Sequence, residues 1–264
     1  MHPIERLRYV ARASGVGHDM LVRETASALA SFVGDPSGMV TACRRVVARQ
    51  PTSGPIWWLA ARVLTAPDPM AEAWAAVQEL EADPTARELV HSIDADLTVT
   101  VLGWPDLVGE ALVRRGDLEA LVVDVHGEGS GLVRRLTLAD SDAVDVPAVG
   151  LGAAVAESQL VLLEAAAIGP EAFLAVAGSR AAAATARHAG VPVWLVGGAG
   201  RLLPRRMWDG LVARVDLDDP WDADDEIVPL DLVDAIVGPI GPEPVAEALR
   251  RTDCPVAPEL FKEL

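Results

Sequence analysis

The spacing of hydrophobic residues changes near Leu97, and this change divides the chain into two parts. Before Leu97, apolar residues recur every three or four positions, in segments separated by turn sequences such as GDPSG at 34–38. This periodicity is typical of amphipathic helices. It predicts helices over 4–14, 18–33, 39–48, 56–64, 70–80 and 84–93. Because no strand-like run precedes Leu97, the first part is expected to be entirely helical.

After Leu97 the chain consists of short apolar runs, rich in β-branched residues, that alternate with helical segments. The runs at 97–104, 118–125, 146–151, 159–165 and 191–196 predict strands. The segments 106–115, 132–139 and 179–189 predict helices between them. Buried parallel strands have such continuous apolar runs, so the sequence predicts an α/β fold. We expect a helical N-terminal domain, residues 1–93, followed by an open, mainly parallel Rossmann-like sheet domain, residues 94–264.

The pattern is less regular beyond residue 200. Residues 202–211 are ambiguous, 214–217 fit a strand, and the acidic stretch 216–226 indicates a solvated loop. Residues 229–237 predict a short strand or helix, and 243–251 predict a helix. The tail contains two prolines, which fits an edge strand or an arm.

The segment 159–198 is the expected centre of the second domain, because it contains a strand, a loop, a helix and a second strand. Ser179 is placed as the N-cap of the helix, and Gly190 stands where a C-terminal glycine belongs. Ligands of parallel sheets bind at the carboxyl ends of the strands. We therefore expect the loop 166–179 to be the functional one.

Composition and charge exclude several classes of function. The chain has 264 residues, of which 51% are hydrophobic, so it can bury a large core. Its net charge of −17 argues against non-specific binding to nucleic acid or anionic lipid. No stretch has the uninterrupted apolar core of a signal peptide or of a membrane span. A cytoplasmic location is therefore expected.

The cysteines and glycine-rich motifs give no sign of a metal or cofactor. Cys43 and Cys254 are far apart and match no metal-binding spacing, so we expect two reduced thiols in the core. The glycine-rich run 127–131 lacks the Gly-Lys-Ser/Thr ending of a Walker loop. No cofactor and no metal are expected.

Trp57 and Trp58 are adjacent in a predicted helix. Adjacent residues cannot both face one side of a helix. One of the two is therefore expected to pack between the domains or against a partner.

Glu164 is a carboxylate within an otherwise apolar predicted strand. Burying an ionised group is costly unless it is paired. One hypothesis is that Glu164 is a functional acid or base at the edge of the sheet. The alternative is a structural glutamate, bonded to a backbone N–H or an arginine, or placed at a dimer surface.

Two further groups of residues lie near the predicted strand ends. Asp124, His126 and Glu128 follow the second strand beside the glycine-rich loop, where a ligand could bind; the alternative is a flexible polar loop. Gly178, Ser179 and Arg180 begin the central helix, whose free N–H groups could hold a phosphate; the alternative is simple capping.

Three stretches resemble one family, which comprises the alpha, beta and delta subunits of eukaryotic initiation factor two B, methylthioribose-1-phosphate isomerase and ribose-1,5-bisphosphate isomerase. Residues 160–196 look like the family's strand, its Gly-Ala-Asp loop, its Asn-Lys-x-Gly-(Thr/Ser) helix start and its second strand. RQPTSGPIWWLAARVL is similar to the family's Arg-Pro-Thr segment. EIVPLDLVDAIVGPIGPEPVAEALR resembles its C-terminal segment. The three stretches follow the family's order along nearly the whole chain.

The residues on which isomerase chemistry depends in that family are replaced here. The position of its cysteine matches Leu102 or a neighbour, and that of its catalytic aspartate matches Ala166. The Asn-Lys pair falls on Ala175-Val176, and the arginine-bearing loop falls on 125–128, which contains no arginine. An aldose–ketose isomerase needs a group that moves a proton. Leucine, alanine and valine cannot do so.

The resemblance together with these replacements implies a pseudoenzyme with a binding or regulatory role. On the family pattern we expect a homodimer that retains a site for a small phosphorylated ligand, such as a sugar phosphate or a nucleotide. The alternative is a sugar-phosphate isomerase or a related enzyme whose catalytic groups have moved to Glu164, Asp124 and His126. No nucleic acid and no membrane partner are expected.

Overall fold

The structure is a computed structural model that describes residues 17–215 and 219–262. The helix predicted over 4–14 and half of the strand predicted over 214–217, residues 216 and 217, lie outside the described residues. Within the described residues, no helix combines the length and the apolar character that crossing a membrane requires.

The first part of the chain is a layer of helices, as the hydrophobic spacing predicts. Asp35 and Asp68 cap two of them through hydrogen bonds from Gly38 and from Met70 and Ala71. No strand occurs among the described residues that precede Thr98. The helices of this layer are α1 His18–Leu29, α2 Pro36–Arg49, α3 Gly54–Thr65, α4 Pro69–Glu81 and α5 Thr85–Ser92.

Helix α3 is buried on all sides, and both of its adjacent tryptophans are fully buried. The ring N–H of Trp57 donates to the carbonyl of Pro51, and that of Trp58 donates to Asp253 at 3.2 Å. Trp58 also contacts the backbone at Gly200. The expectation that only one of the pair packs between the two parts is therefore too narrow, because both are covered within the chain.

The second part of the chain is an α/β unit, which confirms the predicted fold class. The strands are β1 Thr98–Leu102, β2 Glu119–Asp124, β3 Asp142–Pro147, β4 Leu160–Glu164, β5 Ala167–Ile168, β6 Ala172–Val176, β7 Val193–Val196, β8 Asp225–Pro229, β9 Ala235–Gly238 and β10 Gly241–Pro244. The helices are α6 Asp106–Val113, α7 Gly129–Leu138, α8 Leu151–Glu157, α9 Ser179–Ala189, α10 Arg205–Val212 and α11 Val245–Ala248.

In the part of the chain that the structure describes, seven strands form the main sheet in the order β10-β9-β7-β4-β1-β2-β3. All neighbouring pairs are parallel except β9 with β10. Alternate residues of β4 belong to two hydrophobic clusters, because successive side chains point to opposite faces. Both faces of the sheet are therefore covered, as continuous apolar strands require.

A separate cluster forms the core of the helical layer and includes residues from the C-terminal tail. Cys254, Ala257 and Leu260 pack there with α3 and α10. Helix α5, by contrast, packs against the main sheet through Leu89. The domain boundary near residue 93 stays a prediction, since side chains from both parts share these clusters. Cys43 and Cys254 are buried, unpaired thiols.

The prediction that residues 166–179 form a loop is wrong, because most of this segment forms the hairpin β5–β6. This hairpin pairs antiparallel with β8 in a second, three-stranded sheet. Asp225 and Glu226 therefore belong to a strand and not to the predicted acidic loop. Residues 243–251 likewise begin in β10 and contain only the short helix α11. The local sequence does not reveal these strands, because they are defined by pairing with distant segments, as β6 is with β8.

The ends of α9 match the sequence only in part. Gly190 has a φ of +73° and ends the helix in the left-handed conformation, as predicted. The N-cap, however, is Gly178 with a φ of +100°, and Ser179 is the first helical residue. The hydroxyl of Ser179 donates to the carbonyl of Val176 at 2.7 Å, so Ser179 does not cap the helix.

Candidate functional site

A cavity of about 280 Å³ lies at the carboxyl ends of β1, β4 and β6, where the helical layer meets the sheet. Its size is near the lower end of the range of small-molecule sites, about 300–1,000 Å³. The residues that line it are His18, Leu102, Gly103, Trp104, Pro105, Asp106, His126, Glu128, Leu162, Leu163, Glu164, Ala165, Ala166, Ala175, Val176, Ser179, Arg201 and Asp225. The position agrees with the general rule for parallel sheets.

Glu164 and Arg201 form a buried ion pair in the wall of this cavity. The Arg201 Nη1 donates to Glu164 Oε1 at 2.9 Å and to the carbonyl of Ala165 at 2.6 Å. The Glu164 side chain is 9% exposed and the Arg201 side chain is 5% exposed. Each charge therefore meets its counter-charge away from bulk water, as a buried ion needs.

The second oxygen of Glu164 binds the beginning of α6. The Oε2 accepts the backbone N–H groups of Leu107 at 2.9 Å and of Val108 at 3.0 Å. The first N–H groups of a helix have no partner inside the helix and favour a negative charge. Pro105 precedes the helix and supplies no side-chain cap. Both structural contacts considered for Glu164, a backbone N–H and an arginine, are thus present together.

Asp106 and Asp225 enter the cavity from different elements. Burial raises the pKa of Asp106, and the nearby charge of Glu164 raises it further. The backbone N–H of His18 donates to this carboxylate. Burial raises the pKa of Asp225 to about 6, and the charge of Asp224 adds to the effect. The cavity thus holds two carboxyl groups whose ionised forms are disfavoured by their surroundings.

His18 comes from the first residue of α1 and connects the helical layer to the site. Its Nδ1 lies 3.3 Å from the hydroxyl of Ser53. Burial and the charge of Arg201 lower its pKa to about 3. The imidazole is therefore neutral at physiological pH and can accept or donate one hydrogen bond inside the cavity.

The predicted residues around the second strand divide between the cavity and its surroundings. His126 and Glu128 line the cavity. The His126 Nε2 lies 3.0 Å from the carbonyl of Asp224. Asp124 is turned to the backbone, where it accepts the N–H of Gly129 at 3.1 Å. The structure thus brings Glu164, His126 and Glu128 together but not Asp124.

The beginning of α9 already carries a negative charge from the chain itself. The backbone N–H of Arg180 donates to the carboxylate of Glu226 at 2.8 Å, and the Arg180 side chain bonds to the carbonyl of Ile227. Gly178 lies against Leu102 and Val125, and Ser179 is fully buried beside the cavity. A carboxylate therefore lies where the sequence placed a phosphate.

Solved structures share the fold of this chain along almost its entire length. Translation initiation factor eIF-2B from Pyrococcus horikoshii OT3 superposes with a TM-score of 0.77 at 14% identity, covering 94% of this chain and 98% of that chain. The eIF2B beta subunit from Chaetomium thermophilum gives 0.73 at 19% identity, covering 99% and 93%. The chain has the eIF2B fold. Neither the family models nor the curated proteins compared with the sequence give a match.

A third similar structure belongs to an assembly. The tetrameric eIF2B-beta2-delta2 complex from C. thermophilum contains a chain with a TM-score of 0.75 and 18% identity, covering 94% of this chain and 92% of that chain. These TM-scores show a common fold with the eIF2B subunits, and the resemblance seen in three sequence stretches is confirmed at the level of the fold.

In this eIF2B fold, the positions matched to the isomerases' catalytic groups meet in the same cavity. Leu102, Ala166, Ala175 and Val176 all line it. None of their side chains can ionise or donate a hydrogen bond. The correspondence made from the sequence therefore converges on one cavity, and the side chains at these four positions are apolar.

Sequence reasoning missed His18, Asp106, Arg201 and Asp225. Two of these had a signal, since Asp106 and Arg201 follow predicted strands closely and so come near the carboxyl edge. His18 had none, because nothing in its neighbourhood indicates that α1 begins over the sheet. Asp225 was assigned to a solvated loop, and its pairing in β8 carries it into the cavity instead.

Proposed function

We propose that this protein binds a small polar ligand in the cavity at the sheet edge and does not isomerise sugar phosphates. The observation that carries the proposal is that a formed cavity is combined with apolar residues at Leu102, Ala166 and Ala175. Proton transfer by a positioned acid or base is worth about 10²–10⁴-fold in rate. A site that keeps its volume and its buried ion pair but lacks these groups suits binding better than isomerisation.

We propose a binding or regulatory role for the protein as a cytoplasmic homodimer. The support for self-association is the likeness to a chain of the tetrameric eIF2B-beta2-delta2 complex. One chain has a mass of 27.8 kDa, and light scattering at micromolar concentration should show a species of twice that mass. A single species at the chain mass would contradict the dimer and leave the ligand site as it stands.

The absence of isomerase activity is tested by a coupled assay with methylthioribose-1-phosphate and with ribose-1,5-bisphosphate. We expect turnover well below about 1 s⁻¹, the lower end of ordinary enzyme rates. Ala166→Asp should add a carboxylate at the cavity without restoring activity. Leu102 still stands in place of the isomerases' cysteine, and Ala175-Val176 in place of their Asn-Lys pair. Turnover above about 1 s⁻¹ by the unmodified protein would show that the proposed lack of isomerase activity is wrong.

A second candidate is an enzyme with relocated acid and base groups. The observation that favours it is that Asp106 and Asp225 share the cavity and both have a raised pKa. Carboxyl groups with a pKa near the working pH are efficient proton donors and acceptors. If turnover of a sugar phosphate is found, Asp225→Asn and Asp106→Asn should each remove most of it, whereas Asp124→Asn should not.

The identity of the ligand is open to a direct screen. Sugar phosphates and nucleotides are the candidates that the sequence resemblance implies. Any compound that binds only the folded protein raises its melting temperature by mass action. A melting-temperature screen of the full chain against these compounds therefore tests the binding role separately from catalysis.

A further inference from the structure

We infer that the cavity selects a small organic cation, a compound carrying an amine or a guanidinium group, over a phosphorylated one. This inference rests on the proposed ligand-binding role of the same cavity and names the class of ligand.

The charges around the cavity are unequal. Among the described residues that line it, four are carboxylates, Asp106, Glu128, Glu164 and Asp225, and one is a permanent cation, Arg201. Arg201 is already bonded to Glu164 and to the carbonyl of Ala165. That pair is neutral as a unit, so the other three carboxyl groups lack a full counter-charge in the described lining, where only the charge of Arg201 acts on Asp106 and that of His126 on Asp225. A positive ligand would supply it, and a phosphate would add to the repulsion.

The neutral groups of the lining also suit a cation. Trp104 is 41% exposed and lines the cavity, and a cation is attracted to the face of an indole ring. His18 is neutral, and its Nε2 has no partner among the described residues, so it can accept a hydrogen bond from an ammonium group. Carboxylates, an aromatic face and a neutral imidazole are all acceptors of positive charge.

The arrangement favours an organic cation over a metal ion. Within the described residues, no three His, Cys, Asp or Glu side chains converge closely enough to hold a metal. Asp106 begins α6 and Asp225 begins β8, so the carboxylates approach from separate walls. Separate acceptors can be bridged by an extended molecule with several N–H donors, whereas Ca²⁺ and Mg²⁺ require six or more ligands around a single point.

The usual place for a phosphate is filled by the chain itself. Glu226 accepts the Arg180 N–H at the beginning of α9, where a phosphate would otherwise bind the helix. A phosphate at this helix end would have to displace the Glu226 carboxylate. A cationic ligand does not compete with Glu226 for the Arg180 N–H, so this hydrogen bond does not oppose its binding.

The test compares agmatine and putrescine with ribose 5-phosphate and inorganic phosphate, using titration calorimetry and melting temperature on the full chain at low and at physiological salt. We expect agmatine to bind and to raise the melting temperature, and the two phosphates to do neither. Asp225→Asn and Asp106→Asn should each weaken agmatine binding about tenfold or more, as expected for a lost charged hydrogen bond.

Asp222→Asn is the matched control, because Asp222 is an exposed residue three positions from Asp225 and outside the cavity lining. It removes the same charge and should leave agmatine binding unchanged. Equal weakening by Asp222→Asn and Asp225→Asn would show attraction to the acidic surface and overturn the inference. Binding of ribose 5-phosphate without agmatine would overturn the inference and leave the binding role intact. Binding of no probe would count against both.

Discussion

Glu164 and Arg201, 37 positions apart in sequence, share a buried ion pair of 2.9 Å that also fixes the start of α6. One carboxylate thereby holds together the end of β4, the loop after β7 and the helix that follows β1. The shape of the cavity edge depends on this pair, since all three segments contribute lining residues.

Breaking this pair should be costly, whereas replacing it entirely should be much less so. Glu164→Leu or Arg201→Met leaves one buried charge unpaired, and each should lower the free energy of unfolding by about 3–5 kcal/mol. The double variant should recover a large part of the loss, because no lone charge is left. Urea unfolding of the unmodified protein, the two single variants and the double variant measures the coupling energy between Glu164 and Arg201.

The exposed pair Arg205–Glu171 is the control, with side chains 58% and 76% exposed. Glu171→Ala should cost less than about 1 kcal/mol, as surface ion pairs do. If Glu164→Leu costs no more than this, the pair does not stabilise the cavity edge.

Asp225→Asn should stabilise the protein at neutral pH. The folded-state pKa of about 6 exceeds the ordinary value of 3.8, because of burial and the charge of Asp224, with His126 partly opposing the shift. The folded protein therefore favours the protonated carboxyl, and this contribution to stability is lost as pH rises through about 6. The variant should gain on the order of 1–2 kcal/mol at pH 7, and the gain should vanish below about pH 4.

Melting curves between pH 4 and 8 check this prediction. Asp222→Asn controls for the relief of overall negative charge, and it should change the melting temperature little at any pH. A gain from Asp225→Asn that is the same at pH 4 and pH 7 would contradict the titration argument.

His18 should make the protein sensitive to mild acid. Burial and the charge of Arg201 lower its pKa from 6.5 to about 3, so between these values only the unfolded chain takes up the proton. His18 does not lower the free energy of unfolding above about pH 6.5. Below that pH it lowers this free energy by about 1.4 kcal/mol per pH unit. His18→Asn should reduce this fall, as measured by urea unfolding at pH 7, 6 and 5.

The control for this slope is His91→Asn, which changes an exposed histidine. It should leave the pH dependence of the unfolding free energy as it is in the unmodified protein. Parallel curves for His18→Asn and the unmodified protein would mean that His18 titrates normally in the fold.

Gly54 should tolerate no side chain, because α3 begins in contact with the sheet domain. Its N–H donates to the carbonyl of Ala166 at 3.0 Å, and an added Cβ would lie 2.7 Å from that oxygen. Gly54→Ala should cost about 1–3 kcal/mol, as overpacking does. Gly152 in α8 has open space, so Gly152→Ala should stabilise by about 0.5–1 kcal/mol. Thermal unfolding that ranks the two variants the other way would contradict the close contact.

The sequence was most informative where elements are long and periodic. The helical layer and the strands β1, β2, β4 and β7 follow from the hydrophobic pattern, which records burial over several positions. The strand predicted over 146–151 is misplaced, because β3 covers Asp142–Pro147 and α8 begins at Leu151. The hairpin β5–β6 was missed because β5 has two residues and gains its partners from β6, and β6 in turn pairs with the distant β8. Such strands are defined by tertiary pairing and not by local pattern.

Part of the candidate site was predictable, through one residue that contradicts its surroundings and through His126 and Glu128, which follow a predicted strand. Glu164 stood out as a charge in an apolar strand, and it proved to line the cavity. His18 and Asp225 look ordinary in an N-terminal helix and an acidic stretch. Their place in the site depends on how α1 and β8 dock, which no local pattern encodes.

The burial of Trp58 has a consequence for how the chain is made. Its N–H is bonded to Asp253, 195 positions later, and the tail residues Ala257 and Leu260 complete the same core. During synthesis the first helices leave the ribosome long before this cover exists. We therefore expect the helical layer to reach its final packing only after release of nearly the whole chain, and a fragment ending near residue 93 to expose its tryptophans and aggregate.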